Sequence, residues 1–430
     1  MSKKVELLSP AGSLEKLKIA LDFGADAVYG GVSHFSLRIR SGKEFSMEDF
    51  AEGIEYAHAR GKKVYVTING FPFNSQLELL KKHIVAMGAL NPDAFIVATP
   101  GVLKLCHDLV PGMPLHLSTQ ANVMNVLDAQ IYHEMGATRI ITAREISLKD
   151  LVAIKKELPT LELEVFVHGS MCFAYSGRCL ISTLQSGRVP NRGSCANDCR
   201  FEYEMYAANP ETGTLFRLEE DEGVGTYIMN AKDLNLASHM KEILDAGVVD
   251  SVKVEGRTKT AYYAATTAKA YRMAINDYYN EEFNEDKYQY ELQSLQNRGY
   301  TDAYLVSRPF ERNDTQSLDF SMQLGTHQVS GVVNPEGTHF LCKFKTEPND
   351  EMEVVFPLGS EVAIVDNDIG TTYEKDGRFY MKLKEIKTDK GKVYEAIHSG
   401  NTNEIILPTS FPAFTFFRVP SNLNMGTNPQ

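Results

Sequence analysis

The feature that most constrains this chain is an alternation. Over about the first 270 residues, short β-branched and apolar segments recur between stretches of helical periodicity, the signature of a parallel sheet covered by helices. The strand candidates are Val5–Leu8, Ala27–Gly30, Lys63–Ile68, Ala94–Ala98, Leu115–Ser118, Arg139–Thr142, Leu163–Val167 and Ser251–Val254. Helices are expected at Ser13–Phe23, Ser46–Ala59, Ser75–Ala86 and Ser147–Glu157, with Ser13 and Ser46 placed to accept a first-turn N–H. Eight such units match an α/β fold of the TIM-type (β/α)8 barrel better than an open sheet. No G-x-G-x-x-G follows the first strand, which disfavours a dinucleotide-binding fold.

The connection between the seventh and eighth strands is far longer than a βα loop requires. A barrel enzyme builds its site from such insertions at strand C-terminal ends. A hairpin, Phe201–Ala207 then Thr214–Leu218 across Asn209-Pro210, is expected inside it. Past Tyr263 a helical run reaches about Asn297, and the polar stretch Asn313–Ser321 reads as a linker. Short strands follow at Phe340–Lys345, Glu353–Phe356, Glu361–Val365, Phe379–Leu383, Val393–Ile397 and Phe414–Val419. The expected organisation is a barrel over 1–312, with the insertion at about 169–235, then a small all-β, barrel-like domain over 322–430.

Composition narrows the function classes. The chain has 430 residues and a net charge of −12, so its surface as a whole repels nucleic acid and anionic membranes, and any RNA contact needs a local basic patch. No apolar run approaches membrane-spanning length, and no apolar leader core precedes Pro10. A cytoplasmic protein with reduced thiols is expected, with no membrane and no DNA as partners.

Four of the six cysteines, Cys172, Cys179, Cys195 and Cys199, fall within 28 positions. Such a cluster in a reducing compartment reads as a metal site sooner than as two disulfides. Structural zinc favours two tight C-x2-4-C pairs, and only the last interval here is that short. The spacing leans towards iron–sulfur, with zinc as the alternative. Cys106 and Cys342 read as core residues.

A barrel site lies at the C-terminal ends of its strands, which points to Pro10, Tyr29, Asn69, Thr99, Gln120, Arg144, Glu145, His168, Glu255 and Arg257. The catalytic candidates are His168, Glu255, Arg257, Gln120, Asn69 and Tyr29. His168 reads equally well as a hydrogen-bonded structural residue beside the cysteines, and Glu255 with Arg257 as a structural ion pair. Arg38 and Arg40 are placed to clamp a carboxylate. Lys232, between Asn230 and Asp233, is a weaker binding candidate. The stretch 170–200 holds Arg178, Arg188, Arg192 and Arg200 against the single acid Asp198, a local contrast suited to phosphates.

The segment from Glu164 through His168, Gly169, Ser170, Cys172, Gly177 and Cys179 to Ser182 matches E-x-F-x-x-G-[SA]-x-C-x4-G-x-C-x-x-S at every fixed position. That pattern resembles the signature of the collagenase-like peptidase family U-thirty-two. Leu8-Ser9-Pro10-Ala11-Gly12, Tyr29-Gly30-Gly31 and Lys253-Val254-Glu255-Gly256-Arg257 resemble further family fragments. Length, cysteine spacing and the β-rich C-terminal region resemble the family's tRNA-modifying branch most. The resemblance implies a 4Fe-4S cluster on the four cysteines, prephenate as a small carboxylate co-substrate, tRNA as partner, and 5-hydroxylation of the wobble uridine. Two other readings stand beside it: a peptidase, as the family name says, and a non-catalytic metal-binding scaffold. Neither a G-x-S-x-G elbow nor an H-E-x-x-H motif is present to support the peptidase.

Overall fold

A computed structural model describes residues 4–32, 35–36, 45–218, 229–309, 312–317, 320, 322–398, 400 and 402–421. Eight parallel strands close into a barrel: β1 (Glu6–Pro10), β2 (Ala27–Gly30), β3 (Lys63–Ile68), β4 (Ala94–Val97), β5 (Leu115–Leu117), β6 (Arg139–Ile141), β7 (Glu162–Ser170) and β8 (Ser251–Val254). Each pairs with the next, and β8 pairs with both β7 and β1. The eight expected strands are the eight observed, with ends shifted by at most three residues. Helices α1 (Leu14–Asp22), α2 (Met47–His58), α3 (Leu77–Ala89), α4 (Pro100–Leu109), α5 (Val126–Glu134), α6 (Leu148–Glu157), α7 (Met240–Asp245) and α8 (Ala261–Tyr279) complete the repeat. The Ser46 hydroxyl accepts from the Asp49 N–H at 3.0 Å and that of Ser13 from Lys16 at 3.3 Å, so both caps act where orphan donors must be satisfied. Among the described residues no helix is long and apolar enough to cross a membrane.

The barrel interior is layered. Leu8, Ala27, Tyr29, Tyr65, Ala94, Ile96 and Ile141 form an apolar cluster against Phe166. An ionic floor accompanies them. Arg139 on β6 donates to Glu6 on β1 at 2.5 Å, to Glu164 on β7 at 3.0 Å and to Glu162 at 2.9 Å. Lys253 on β8 donates to the other Glu164 oxygen at 2.8 Å, and the Tyr65 hydroxyl to Glu6 at 2.8 Å. Burial alone would raise the Glu164 pKa, but Lys253 and Arg139 outweigh it and hold the carboxyl below its ordinary 4.5.

The insertion between β7 and β8 contains the short helix Ile181–Ser186, the hairpin Met205–Ala208 with Leu215–Leu218, and the strand Asp233–Asn235, antiparallel to the end of β7. A second unit comprises Asp22–Gly24, Tyr290–Gln296 and Leu324–Gln430. It carries an eight-stranded antiparallel sheet running in the order 365–366, 370–375, 378–383, 352–355, 416–420, 327–333, 339–342, 405–406. Phe340, Phe411 and Phe417 pack edge to face in its core. Three strands of this sheet escaped the sequence reading: the two-residue Ile405–Ile406, His327–Val333, whose first half is polar, and Gly370–Lys375, whose partner Arg378–Leu383 follows across Asp376-Gly377. Both turn residues have positive φ, 53° and 70°, the primed hairpin turn that a D-G pair announces. The expected strand Glu361–Val365 is ordered as a strand only at Val365–Asp366, where it meets Thr371 and Thr372.

Replacing Glu164 by Gln leaves Arg139 and Lys253 facing a neutral amide inside the barrel. The variant is expected to lose about 3–5 kcal/mol of stability, read as a lower urea midpoint with an unchanged slope. Because the folded-state pKa is depressed, the wild-type contribution is present above pH 4.5 and is lost as pH falls below it. The variant should therefore show a flatter stability profile across that acidic window.

Candidate functional site

The barrel opens at its C-terminal end into a cavity of about 490 Å³, walled by residues that follow the strands. Tyr29 comes from β2, Thr67 and Asn69 from β3, Ser118 and Gln120 from β5, Arg144 from β6, Phe166 and Ser170 from β7. The turn after β8 adds Glu255, Arg257, Thr258 and Lys259, which follow the inward-facing Lys253. Two signature glycines make room for that turn. A Cβ on Gly12 would stand 2.0 Å from the Arg257 carbonyl oxygen, and one on Gly169, at φ +116°, 2.5 Å from that of Glu255. The turn thereby seats Arg257, which donates to the hydroxyls of Ser36 at 2.7 Å and Thr67 at 3.1 Å.

Cys172, Cys179, Cys195 and Cys199 all line this cavity. Their loop is tied to the barrel by its own polar groups. Ser176, in the left-handed region at φ 40°, bonds Glu145 through N–H and hydroxyl and accepts from the Arg144 N–H. Arg178 donates to the Gln120 carbonyl at 2.8 Å, and the Asn191 amide brackets the Cys179 peptide. Ser182 accepts from the Ala196 N–H at 3.1 Å, joining the Cys179 and Cys195 segments. Arg200 donates to the Met171 and Ala231 carbonyls, which ties Cys199 to Cys172. The fixed serine of the signature is thus a tie inside the loop.

The donor chemistry fits a cluster. Burial raises the Cys179 and Cys199 thiol pKa values, and the neighbouring cysteines of the set raise them further, so the four sulfurs share one locality. Backbone N–H groups of Ile181 and Asn197 point at the sulfurs of Cys179 and Cys195, each at 3.4 Å, a contact that stabilises thiolates ligating a metal. Among the described residues no three Cys, His, Asp or Glu side chains stand close enough to share one ion.

The structure sorts the remaining candidates. Tyr29, Asn69, Gln120, Glu255 and Arg257 line the cavity. Gln120 is 3% exposed, and its side-chain oxygen has no hydrogen-bond partner. His168 does not line it. A register shift between β7 and β8 at this point packs its ring among Tyr263, Tyr271 and Tyr300, with Nδ1 3.3 Å from the Tyr271 hydroxyl. Burial pushes its pKa down to about 3, so the imidazole is neutral and structural. Lys232 and Arg188 are not in the lining, and Arg192 donates to Gln76 at 3.0 Å beneath Phe73. Arg38 and Arg40 lie outside the described residues. Arg200, named in the basic stretch 170–200, lines the cavity, whereas sequence reasoning missed Lys253, Lys259 and Arg298 there. Strand alternation through Lys253 and Glu255 would have found the first. Arg298 reaches Ser170 and Asp233 from 128 and 65 positions away, and no local pattern announces it.

Comparison with known proteins gives a consistent pattern. The model described as peptidase family U32 matches residues 12–315. The tRNA hydroxylation protein P of Helicobacter pylori is 58% identical over 415 residues, covering 96% of this chain and 98% of that protein. Its namesake in Escherichia coli is 36% identical, covering 83% and 87%. A collagenase of Porphyromonas gingivalis is 29% identical, covering 70% and 74%.

Thiol chemistry separates the rim from the core. In metal-free, reduced protein, alkylation near pH 8 should label Cys172 first, since it is exposed. Cys106, buried and with its thiol pushed up to about 12, and buried Cys342 should stay unlabelled until the chain unfolds. Peptide mass spectrometry at timed quenches reads the order.

Proposed function

This chain belongs to peptidase family U32, and we propose that within it the protein is a tRNA-modifying enzyme that hydroxylates C5 of the wobble uridine. In this reading Cys172, Cys179, Cys195 and Cys199 carry a 4Fe-4S cluster, and prephenate serves as co-substrate. The observation that carries it is the make-up of the cavity: among the described residues, four cysteines at one rim, six cationic side chains around the wall, and no histidine in the lining. The relatives named for tRNA hydroxylation support it through their near-complete coverage.

Each chain residue has work in that reaction. Gln120 offers a buried, unpartnered acceptor to an imide N–H such as that of uracil. Tyr29, Ile96, Ile141 and Phe166 give the flat, apolar wall that a base ring packs against. Cations take the carboxylates of the co-substrate. When bound, the cluster supplies one-electron chemistry or a ligation point for substrate. The tRNA substrate places the work in the cytoplasm.

The peptidase reading meets a specific obstacle. A serine or cysteine nucleophile needs a base within hydrogen-bond reach, and among the described residues the cavity lining offers no imidazole. His168, the nearest in sequence, is held neutral among tyrosines. A scaffold without chemistry would have no use for a buried acceptor left open at Gln120.

A deletion strain should lack 5-hydroxyuridine-derived nucleosides in its tRNA hydrolysate by mass spectrometry. Wild-type complementation should restore them, and Cys179→Ala should not. Anaerobically purified protein should contain iron and sulfide, and the same variant should lose both. Arg188, exposed on the cysteine loop, is the probe for RNA. Arg188→Glu should weaken tRNA binding and lower the salt slope by about one, with iron content unchanged. Retained hydroxylation in the deletion strain, with peptide cleavage by the pure protein, would restore the peptidase.

A further inference from the structure

The cavity holds more positive charge than its carboxylates neutralise, and the surplus is concentrated. Of its six cations, Lys253 is engaged by Glu164 at 2.8 Å and Arg298 by Asp233 at 2.6 Å. Arg144 and Arg200 meet neutral groups: carbonyl oxygens, the Met171 thioether, the Phe166 ring and the Asn230 amide. Among the described residues the Lys259 ammonium has no hydrogen-bond or ion-pair partner; it stands 5.7 Å from the centre of the Tyr263 ring, while the backbone N–H donates to the Gly256 carbonyl. Burial lowers the pKa of this amine, Arg298 and Arg200 add to the effect, and Asp233 and Glu255 offset it in part, so an anion in the cavity would be favourable there.

Three further observations locate the anion. Arg298 is 7% exposed, and its Nε–H is buried with no acceptor. Its Nη2 donates to the Ser170 hydroxyl at 2.7 Å, which leaves the Ser170 proton available to a ligand. Lys259 feels Asp233, Arg298, Glu255 and Arg200 most strongly, whereas Arg200 also feels Cys199 and Cys172. Arg200 donates to the carbonyl of Met171, the residue between Ser170 and Cys172, so it adjoins both the Arg298 partner and the cysteine rim.

We propose that Lys259, Arg298 and the Ser170 hydroxyl form an oxyanion subsite that takes one carboxylate of a small dicarboxylate co-substrate, with Arg200 linking it to the cysteine rim. The subsite rests on the hydroxylase reading only for the identity of that co-substrate. Its depth favours a small molecule over an RNA phosphate, because Arg298 is too enclosed for a polynucleotide backbone to reach. The carboxylate gains charge-assisted hydrogen bonds from donors that otherwise lack acceptors.

The test is calorimetric titration of anaerobic holoenzyme with prephenate as the probe, alongside iron analysis and tRNA binding. Lys259→Met should weaken prephenate binding at least about tenfold, with iron per chain and tRNA affinity as in wild type. Lys259→Arg should recover most of the loss. Arg298→Lys, which keeps the charge and removes the buried Nε–H, should also weaken binding. Unchanged prephenate affinity in Lys259→Met overturns the subsite. A loss of iron instead assigns Lys259 to balancing the cluster, and a loss of tRNA affinity instead assigns it to phosphate; either result overturns the proposal. If wild-type protein binds prephenate while deletion-strain tRNA keeps its hydroxyl, the subsite stands and the proposed reaction falls. If it binds none, the subsite falls, and the nucleoside assay judges the reaction alone.

Discussion

The Glu164 carboxylate, enclosed between Arg139 and Lys253, is the interaction on which the rest of the barrel depends. It joins β6, β7 and β8, and Arg139 extends the network to Glu6 on β1, so the charges span the seam where the sheet closes on itself. Closing a barrel demands a definite stagger between first and last strands. A buried ion network penalises every register that leaves one of its members unpaired. Apolar contacts are less selective, since a leucine accepts many neighbours and a buried carboxylate accepts few. Glu164 also opens the signature segment, so the residue that closes the barrel lies on the strand that leads to the cysteines.

Above this floor the balance of charge reverses. Among the described residues, the cations near the base have carboxylates, whereas towards the mouth Arg144, Arg200 and Lys259 make their direct contacts with neutral groups. A chain of net charge −12 has carboxylates to spare, so their scarcity among the described residues here reflects where the fold places those residues. The cavity thus attracts anions on a protein whose surface as a whole repels them. That contrast suits a site that must draw in a small carboxylate and accept one nucleotide without binding nucleic acid everywhere.

Much of the site was legible because the signature residues are ties as well as ligands. Gly12 and Gly169 clear the path of the Glu255–Arg257 turn, Ser182 joins two cysteine segments, and the four cysteines share one cavity. For His168 the sequence left two readings open, a site residue and a hydrogen-bonded structural one. Its neighbours in sequence mark a site, but a register shift on β7 turns it among tyrosines from α8 and beyond, and a periodicity of two cannot foresee a bulge. The hairpin at Asp376-Gly377 was legible and overlooked, because its outward strand is polar and only the turn betrays it.

The sequence by itself determined the eight strands, their parallel arrangement and the gathering of the cysteines in one insertion. Each of these is encoded locally, in side-chain alternation, in helix caps and in spacing along a short segment. Only the tertiary structure decided which cations face the cavity and which of them lack a counter-ion. Lys259, Arg200 and Arg298 come from three separate connections, and the carboxylate of Asp233 is shared among their charges. Charge balance at a point in space is a sum over distant residues, and no window of sequence contains it.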